Sequence, residues 1–190
     1  MTLLASSALT AQSIEVKDAK VTGPGFVIAL PPGLTVEVGA NSESAHGFYL
    51  ALPPQAADVA ASPGLTRTYR YIAFDAKWDA GDMPSLEAAV ASITNNVLGS
   101  IPSYIVHSGD IVIDGNFPAR LGTVPARRLV LKFKNAEHKP AIRQIIVAYN
   151  ARKDASAIVY FLVLNTTEQN FQEDLGVFGK ILAGFKVTEQ

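Results

Sequence analysis

The chain has no cysteine. Disulfides, thiolate metal sites, redox motifs and cysteine nucleophiles are therefore excluded together. The compartment stays open, because an exported domain of this size holds together without staples. Histidine is nearly as scarce: His46, His107 and His138 stand apart in sequence, none with a second ligand at metal-binding spacing. No apolar run approaches the roughly 18–20 residues that a membrane-spanning helix needs. Charged residues make up only 17% of the chain, a low share that tilts the reading toward an extracytoplasmic protein. There is no Gly-x-Ser-x-Gly elbow, and no Ser-x-x-Lys in a setting where the lysine would serve as base. Gly176-Val177-Phe178-Gly179-Lys180 lacks the spacing and the trailing Ser or Thr of a phosphate loop. Its two glycines are expected to let a helix approach a sheet closely.

What is present is a core. Hydrophobic residues account for 48% of 190 residues, enough to fill one domain and to exclude global disorder. The expectation is a single domain over residues 14–190. Residues 1–13 read as the remnant of a secretory signal or as an arm; Leu9-Thr10-Ala11 resembles a cleavage site, but the cationic start and the longer apolar stretch are missing. Export to the periplasm or beyond is the location expected, with the cytoplasm as the alternative.

Strands are expected at Ile14–Ala19, Phe26–Leu30, Leu34–Val38, Phe48–Leu52 and Arg67–Ala76, punctuated by Gly23-Pro24-Gly25, Pro31-Pro32-Gly33 and Pro53-Pro54. Ser85 is an N-cap candidate for a helix over Leu86–Leu98, whose Leu86, Val90, Ile93 and Val97 form one stripe and whose stop is Gly99. Tyr104–Ile113 reads as a strand ending in an Asp114-Gly115 turn. Ala119–Thr123, Arg127–Lys134, Ala141–Tyr149 and Ile158–Leu164 follow as strands. Thr166-Thr167-Glu168-Gln169 then signals a helix carrying Phe171, Leu175, Phe178, Leu182 and Phe185 on its apolar stripe.

The loops between the last three strands are too short for a parallel crossover, so those strands form an antiparallel meander. Ala157–Leu164 offers no polar face and must be covered on both sides. Two amphipathic helices are available to cover it. The fold class expected is α+β, an antiparallel sheet sandwiched by helices.

The order of these elements resembles the PsbP-like family. The carriers are an early apolar strand ending in Pro-Pro-Gly (Phe26–Gly33) and the mid-chain helix introduced by Met83-Pro84-Ser85-Leu86-Glu87. The closing run of Arg127–Phe133, Ile142–Tyr149, Ala157–Leu164 and Phe171–Phe185 completes the match. The resemblance spans most of Phe26–Val187. It implies an α/β/α sandwich, an exported or lumenal setting, and a non-enzymatic assembly or binding role; it supplies no set of site residues.

Candidate sites are few. Asp75, Asp79 and Asp82 lie in one acidic stretch with Trp78 and offer a weak oxygen-ligand set for a hard cation, but the calcium-loop spacing is absent and Lys77 sits among them. A solvated loop leading to a helix N-terminus explains the same acids. Asp110 and Asp114 share one face of a strand pattern and read as surface groups flanking a turn. Charge is distributed unevenly: residues 1–119 carry a balance of −6 and residues 120–190 a balance of +5. Arg128, Lys132 and Lys134 alternate with Leu129, Leu131 and Phe133, and Arg143, Arg152 and Lys153 follow on the next strand and hairpin. A basic sheet face of this kind meets an acidic protein or another anionic surface. Solvation and protection of edge strands are the plain alternative. The net charge of −1 and the lack of any recognition motif speak against nucleic acid.

The function expected is a non-enzymatic exported binding or assembly domain with a protein or anionic partner and no cofactor. A small apolar or anionic ligand held between sheet and helix is the alternative, and a metal-assisted hydrolase ranks last.

Overall fold

A strand with apolar residues on both faces can be satisfied only at the centre of a layered structure. Ala157–Thr167 occupies that place in the computed structural model of the chain, which describes residues 14–38, 47–52, 70–78, 83–100, 112–134, 140–152 and 156–188. In chain order the strands are β1 (Glu15–Lys17), β2 (Lys20–Gly23), β3 (Phe26–Ala29), β4 (Thr35–Val38), β5 (Phe48–Ala51), β6 (Tyr71–Trp78), β7 (Val112–Leu121), β8 (Val124–Lys134), β9 (Pro140–Ala151), β10 (Ala157–Thr167) and β11 (Phe185–Val187). Helix α1 (Leu86–Ser100) lies between β6 and β7, and α2 (Phe171–Gly184) between β10 and β11. One seven-stranded sheet runs β4-β5-β6-β10-β9-β8-β7, and a four-stranded sheet runs β1-β2-β3-β11; every pairing is antiparallel.

The two faces of the large sheet bury different partners. On the first face, Ile72, Phe74 and Ala76 of β6, Ile158, Tyr160, Leu162 and Leu164 of β10, and Ile146 and Ala148 of β9 are buried in one cluster with Val21, Phe26 and Ile28 of the small sheet and Phe178 and Ile181 of α2. Aromatic rings tie the layers: Phe26 lies 4.6 Å from Phe74 and Phe185 lies 5.2 Å from Tyr160, centroid to centroid. The buried Tyr160 hydroxyl donates to the Gly25 carbonyl at 3.1 Å, so its polar tip is satisfied by the small sheet. On the second face, Leu129, Leu131, Ile145, Val147 and Val159 pack with Met83 and Ala89 and with Leu86, Val90 and Ile93 of α1. The antiparallel sheet with helices on both faces is thus the α+β architecture expected.

Several elements differ from expectation for identifiable reasons. Ile14–Ala19 contains a two-residue turn, with Asp18 and Ala19 both in the left-handed region (φ 49° and 54°), and the strand returns as β2. A primed hairpin turn needs that backbone, but Asp-Ala is not among its usual residues. The Ala19 carbonyl is held there by the Leu30 N–H at 2.8 Å. Asp114-Gly115 is not a turn: β7 runs through it with a bulge, and the hairpin closes instead at Gly122-Thr123. Ser85 does cap α1, its Oγ accepting from the Ala88 N–H at 3.2 Å, but the helix continues past Gly99 to Ser100. Thr166 and Thr167 end β10 rather than opening α2, which begins at Phe171 after Asn170. Phe185 leaves the helix altogether and starts β11, which pairs with β3. The strand expected at 104–113 lies mostly outside the described residues.

The expected stripe of α2 does pack on the core, but its buried centre is shifted toward Asp174 and Ile181. Asp174, Phe178 and Ile181 are buried, while Phe171, Leu175 and Leu182 are partly covered. Asp174 is 1% exposed and receives both Nε and Nη2 of Arg70, itself buried at the entry to β6; the Nε bond is 2.8 Å, and the Thr166 hydroxyl donates to the same carboxylate. A bidentate ion pair thus ties β6 to the first turn of α2, where a carboxylate also suits the helix dipole.

Gly176 and Gly179 do not bring the helix to the sheet, for a Cβ at either would meet nothing within 4 Å. The close approach belongs to Gly184, where a Cβ would fall well inside van der Waals contact with the Ala29 carbonyl oxygen.

Removing one partner of a buried pair strands a charge at a cost of about 3–5 kcal/mol. Asp174→Ala should accordingly lower Tm by about 6–20 °C at this chain length, and Arg70→Met with Asp174→Leu should recover most of that loss in calorimetry. Gly184→Ala should destabilise by about 1–3 kcal/mol through overpacking. Gly176→Ala should instead stabilise by about 0.5–1 kcal/mol through helix propensity, so urea midpoints of the two variants should move in opposite directions.

Candidate binding surface

Strand β8 has its side chains sorted by pleat. Leu129, Leu131 and Phe133 are buried on the α1 side; Arg128, Lys132 and Lys134 are exposed on the other. That other side is the first face, on which Val124 and Ala126 are still buried in the main cluster. Cover on this face therefore ends between Ala126 and Arg128, and beyond it the sheet carries cations to solvent. Register places Phe117 of β7 opposite Arg128 and Val112 opposite Lys132. The Arg128 guanidinium sits 5.0 Å over the Phe117 ring, and Lys132 Nζ lies 3.0 Å from Asp114 Oδ2. Val112 is 56% and Phe117 43% exposed, the two most prominent large apolar residues on this face among the described residues.

The bulge has a local function here. It turns Asp114 toward Lys132 and leaves Gly115 without a side chain beneath Phe117, whose ring occupies the space a Cβ would need. Pro118, three residues before the end of β7, is tolerable because β7 is the last strand of the sheet among the described residues.

The remaining basic residues do not join this group. Arg143 is the register partner of Leu131, so it stands on the opposite, α1-side face. There its Nε donates to Asn165 Oδ1 at 3.1 Å and its Nη2 to the Tyr71 hydroxyl at 3.3 Å, with the guanidinium 5.7 Å over Phe133. Arg152 follows the far end of β9, while Lys134 pairs with Pro140 at its start. At about 3.3 Å per residue the two ends are on the order of 40 Å apart. Lys153 lies outside the described residues. The basic face expected from the sequence therefore separates into three places, of which Arg128, Lys132 and Lys134 form one.

Of the weak cation ligands, Asp75 is a half-buried residue of β6, and Asp79 and Asp82 lie outside the described residues, as do His46, His107 and His138. Among the described residues, no three histidine or carboxylate side chains gather as a metal site. No helix among them is long and apolar enough to cross a membrane.

Phe117, Val112 and Asp114 were not legible as site residues. Asp114-Gly115 imitates a turn and Pro118 interrupts the strand pattern, so only the alternation of Phe117 with Asn116 and Pro118 hints at a pleated edge.

Exposed ion pairs contribute at most about 1 kcal/mol. Lys132→Ala and Asp114→Ala should therefore each shift Tm by no more than about 2–4 °C in a thermal melt, a result expected of groups that the fold does not need.

No family model matches the chain, and no curated protein matches it. Among solved structures it is similar to LpqN, which is involved in cell envelope biogenesis of Mycobacterium tuberculosis, at 13% identity over 87% of this chain and 86% of that one, with a TM-score of 0.55. It is also similar to the cyanobacterial PsbP of Synechocystis sp. PCC 6803, at 8% identity over 99% of both chains and a TM-score of 0.49. A further similar structure is the Ran-binding protein Mog1p of Saccharomyces cerevisiae, at 8% identity over 86% of this chain and 90% of that one, with a TM-score of 0.48. At these identities the likeness, carried by LpqN, is one of fold alone: an α+β arrangement of antiparallel sheet and covering helices.

Proposed function

We propose that the chain is a non-enzymatic binding or assembly domain, working outside the cytoplasm, that grips an acidic protein partner through Phe117, Arg128, Lys132 and Lys134. The observation that carries this reading is the Arg128 guanidinium held over a half-exposed Phe117 on a stretch of sheet that neither α2 nor the small sheet covers. Arginine and aromatic side chains dominate the energetic centres of protein interfaces, and an arginine already stacked on a ring has less freedom left to lose on binding. Lys132 and Lys134 flank the pair as a basic rim, suited to steering a partner of opposite charge. A lipid or nucleic-acid surface would be met by a broader cationic field, and Asp114 sits within this one.

The low content of charged residues, the signal-like residues 1–13 and the fold shared with LpqN, a protein of cell envelope biogenesis, support an extracytoplasmic setting. Support for a binding role comes from the character of the surface, an exposed aromatic ring and valine set among cations.

The test is retention of proteins from the source cell's envelope fraction on the immobilised chain. A partner should elute as ionic strength rises from about 0.05 to 0.3 M, where screening shortens to within a contact distance. It should bind at least tenfold more weakly to Arg128→Glu with Lys132→Glu, and more weakly to Phe117→Ser. A set of retained proteins unchanged by the charge reversal contradicts the proposal.

A further inference from the structure

The separation of Arg143 from the other basic residues leaves a second group on the α1-side face. Tyr71, Asn165 and Arg143 lie side by side on one rung of β6, β10 and β9, one step along from the rung of Ile145 and Leu129 in the α1-side cluster. Tyr49 of β5 stands beside Tyr71, ring centroids 5.2 Å apart and tilted by 44°, and Phe133 lies under the guanidinium from the β8 side. Tyr49, Tyr71 and Arg143 are half-buried; Asn165 and Phe133 are buried.

Two features set this group apart from a solvated surface arginine. The first is fixation: an amide oxygen, a phenol oxygen and a ring face hold the guanidinium in place, so its orientation is set before any ligand arrives. The second is charge. Both hydrogen-bond acceptors are neutral, and among the described residues no carboxylate pairs with Arg143. A half-buried cation without a counter-charge carries a desolvation cost that an anion would relieve. A guanidinium has five N–H donors, and only two are engaged in these bonds, leaving donors free for bidentate contact with an oxyanion. The Tyr49 phenol, raised above its usual range by burial first and by Tyr71 second against the pull of Arg143, remains a donor at neutral pH. The tilted tyrosine pair offers an aromatic wall for the rest of the ligand.

We propose that Arg143, framed by Tyr49, Tyr71, Asn165 and Phe133, anchors a binding site for an oxyanion carried on an apolar or aromatic body. The site lies on the face opposite Arg128 and Lys132 and is independent of the protein-binding surface.

The probes are benzoate, phenyl phosphate, inorganic phosphate and, as the neutral control, benzyl alcohol, each titrated into the full chain by calorimetry and by amide-resolved NMR. Benzoate or phenyl phosphate should bind saturably, with shifts centred on residues 71, 143 and 165 and on the Asn165 side-chain amide; which of the two binds more tightly assigns the anion as carboxylate or phosphate. Inorganic phosphate should bind at least tenfold more weakly, and benzyl alcohol should not saturate. Arg143→Met should abolish saturable binding, and Arg143→Lys should weaken it at least tenfold while keeping the charge, since an ammonium cannot reproduce the fork. Tyr71→Phe, which keeps the ring and removes the oxygen that orients Arg143, should weaken binding several-fold. Should Arg143→Met fail to fold, the Lys and Phe variants decide the question. Absence of saturation by every anion up to about 10 mM, a Kd worth under 3 kcal/mol, overturns the proposal. So does binding that is unchanged in Arg143→Lys and Tyr71→Phe, or shifts centred away from this rung.

Discussion

Burial of β10 on both faces is the constraint from which the rest of the molecule follows. An eight-residue apolar run with no wet side forces one layer above the sheet and another below. The chain supplies them asymmetrically. On one face α2 and the four-stranded sheet share a cluster rich in aromatic residues; on the other, among the described residues, Met83 and α1 cover a smaller one. On the α1 side the cover lies over β9 and β8; on the other side α2 and the small sheet leave β8 uncovered beyond Ala126. Phe117, Arg128, Lys132 and Lys134 are exposed on and beside that uncovered stretch.

The Arg70–Asp174 pair sits at the seam between these layers. Hydrophobic contact spans a broad arc of α2, with Phe171, Leu175 and Leu182 flanking the buried Phe178 and Ile181 against one cluster, and so leaves the helix some freedom to rotate. A bidentate bond between the entry to β6 and the first turn of the helix removes that freedom, and the Thr166 hydroxyl completes the carboxylate's shell. Gly184 then allows the helix to end against β3, where β11 joins the small sheet. The position of the small sheet over the aromatic cluster depends on both.

How much of this was legible in the sequence depended on the range of the interaction. Strands β9 and β10 and the Ser85 cap are local features, and their residues announce them. The faces of β8 also followed from alternation within a single strand. Arg143 was misplaced because its face depends on the register between β8 and β9, which pairs it with Leu131; parity within one strand says nothing about the neighbour's. The Arg70–Asp174 pair spans 104 positions, so no window along the chain contains it. Short elements failed for a different reason. Lys20–Gly23 and Phe185–Val187 are too brief to show a period, and they exist because β3 offers both of them an edge. In β7 the residues contradicted the fold outright: Asp-Gly and Pro118 argue for a turn and a break, while a bulge and an edge position accommodate both.

If the uncovered margin of the large sheet is what meets the partner, a photo-crosslinking residue placed at Phe117 in the living source cell will report it, with the same residue at the exposed Glu15 of the small sheet as reference. A discrete protein adduct is expected at position 117 and not at position 15. No adduct at 117, or the same adducts at both positions, would contradict it.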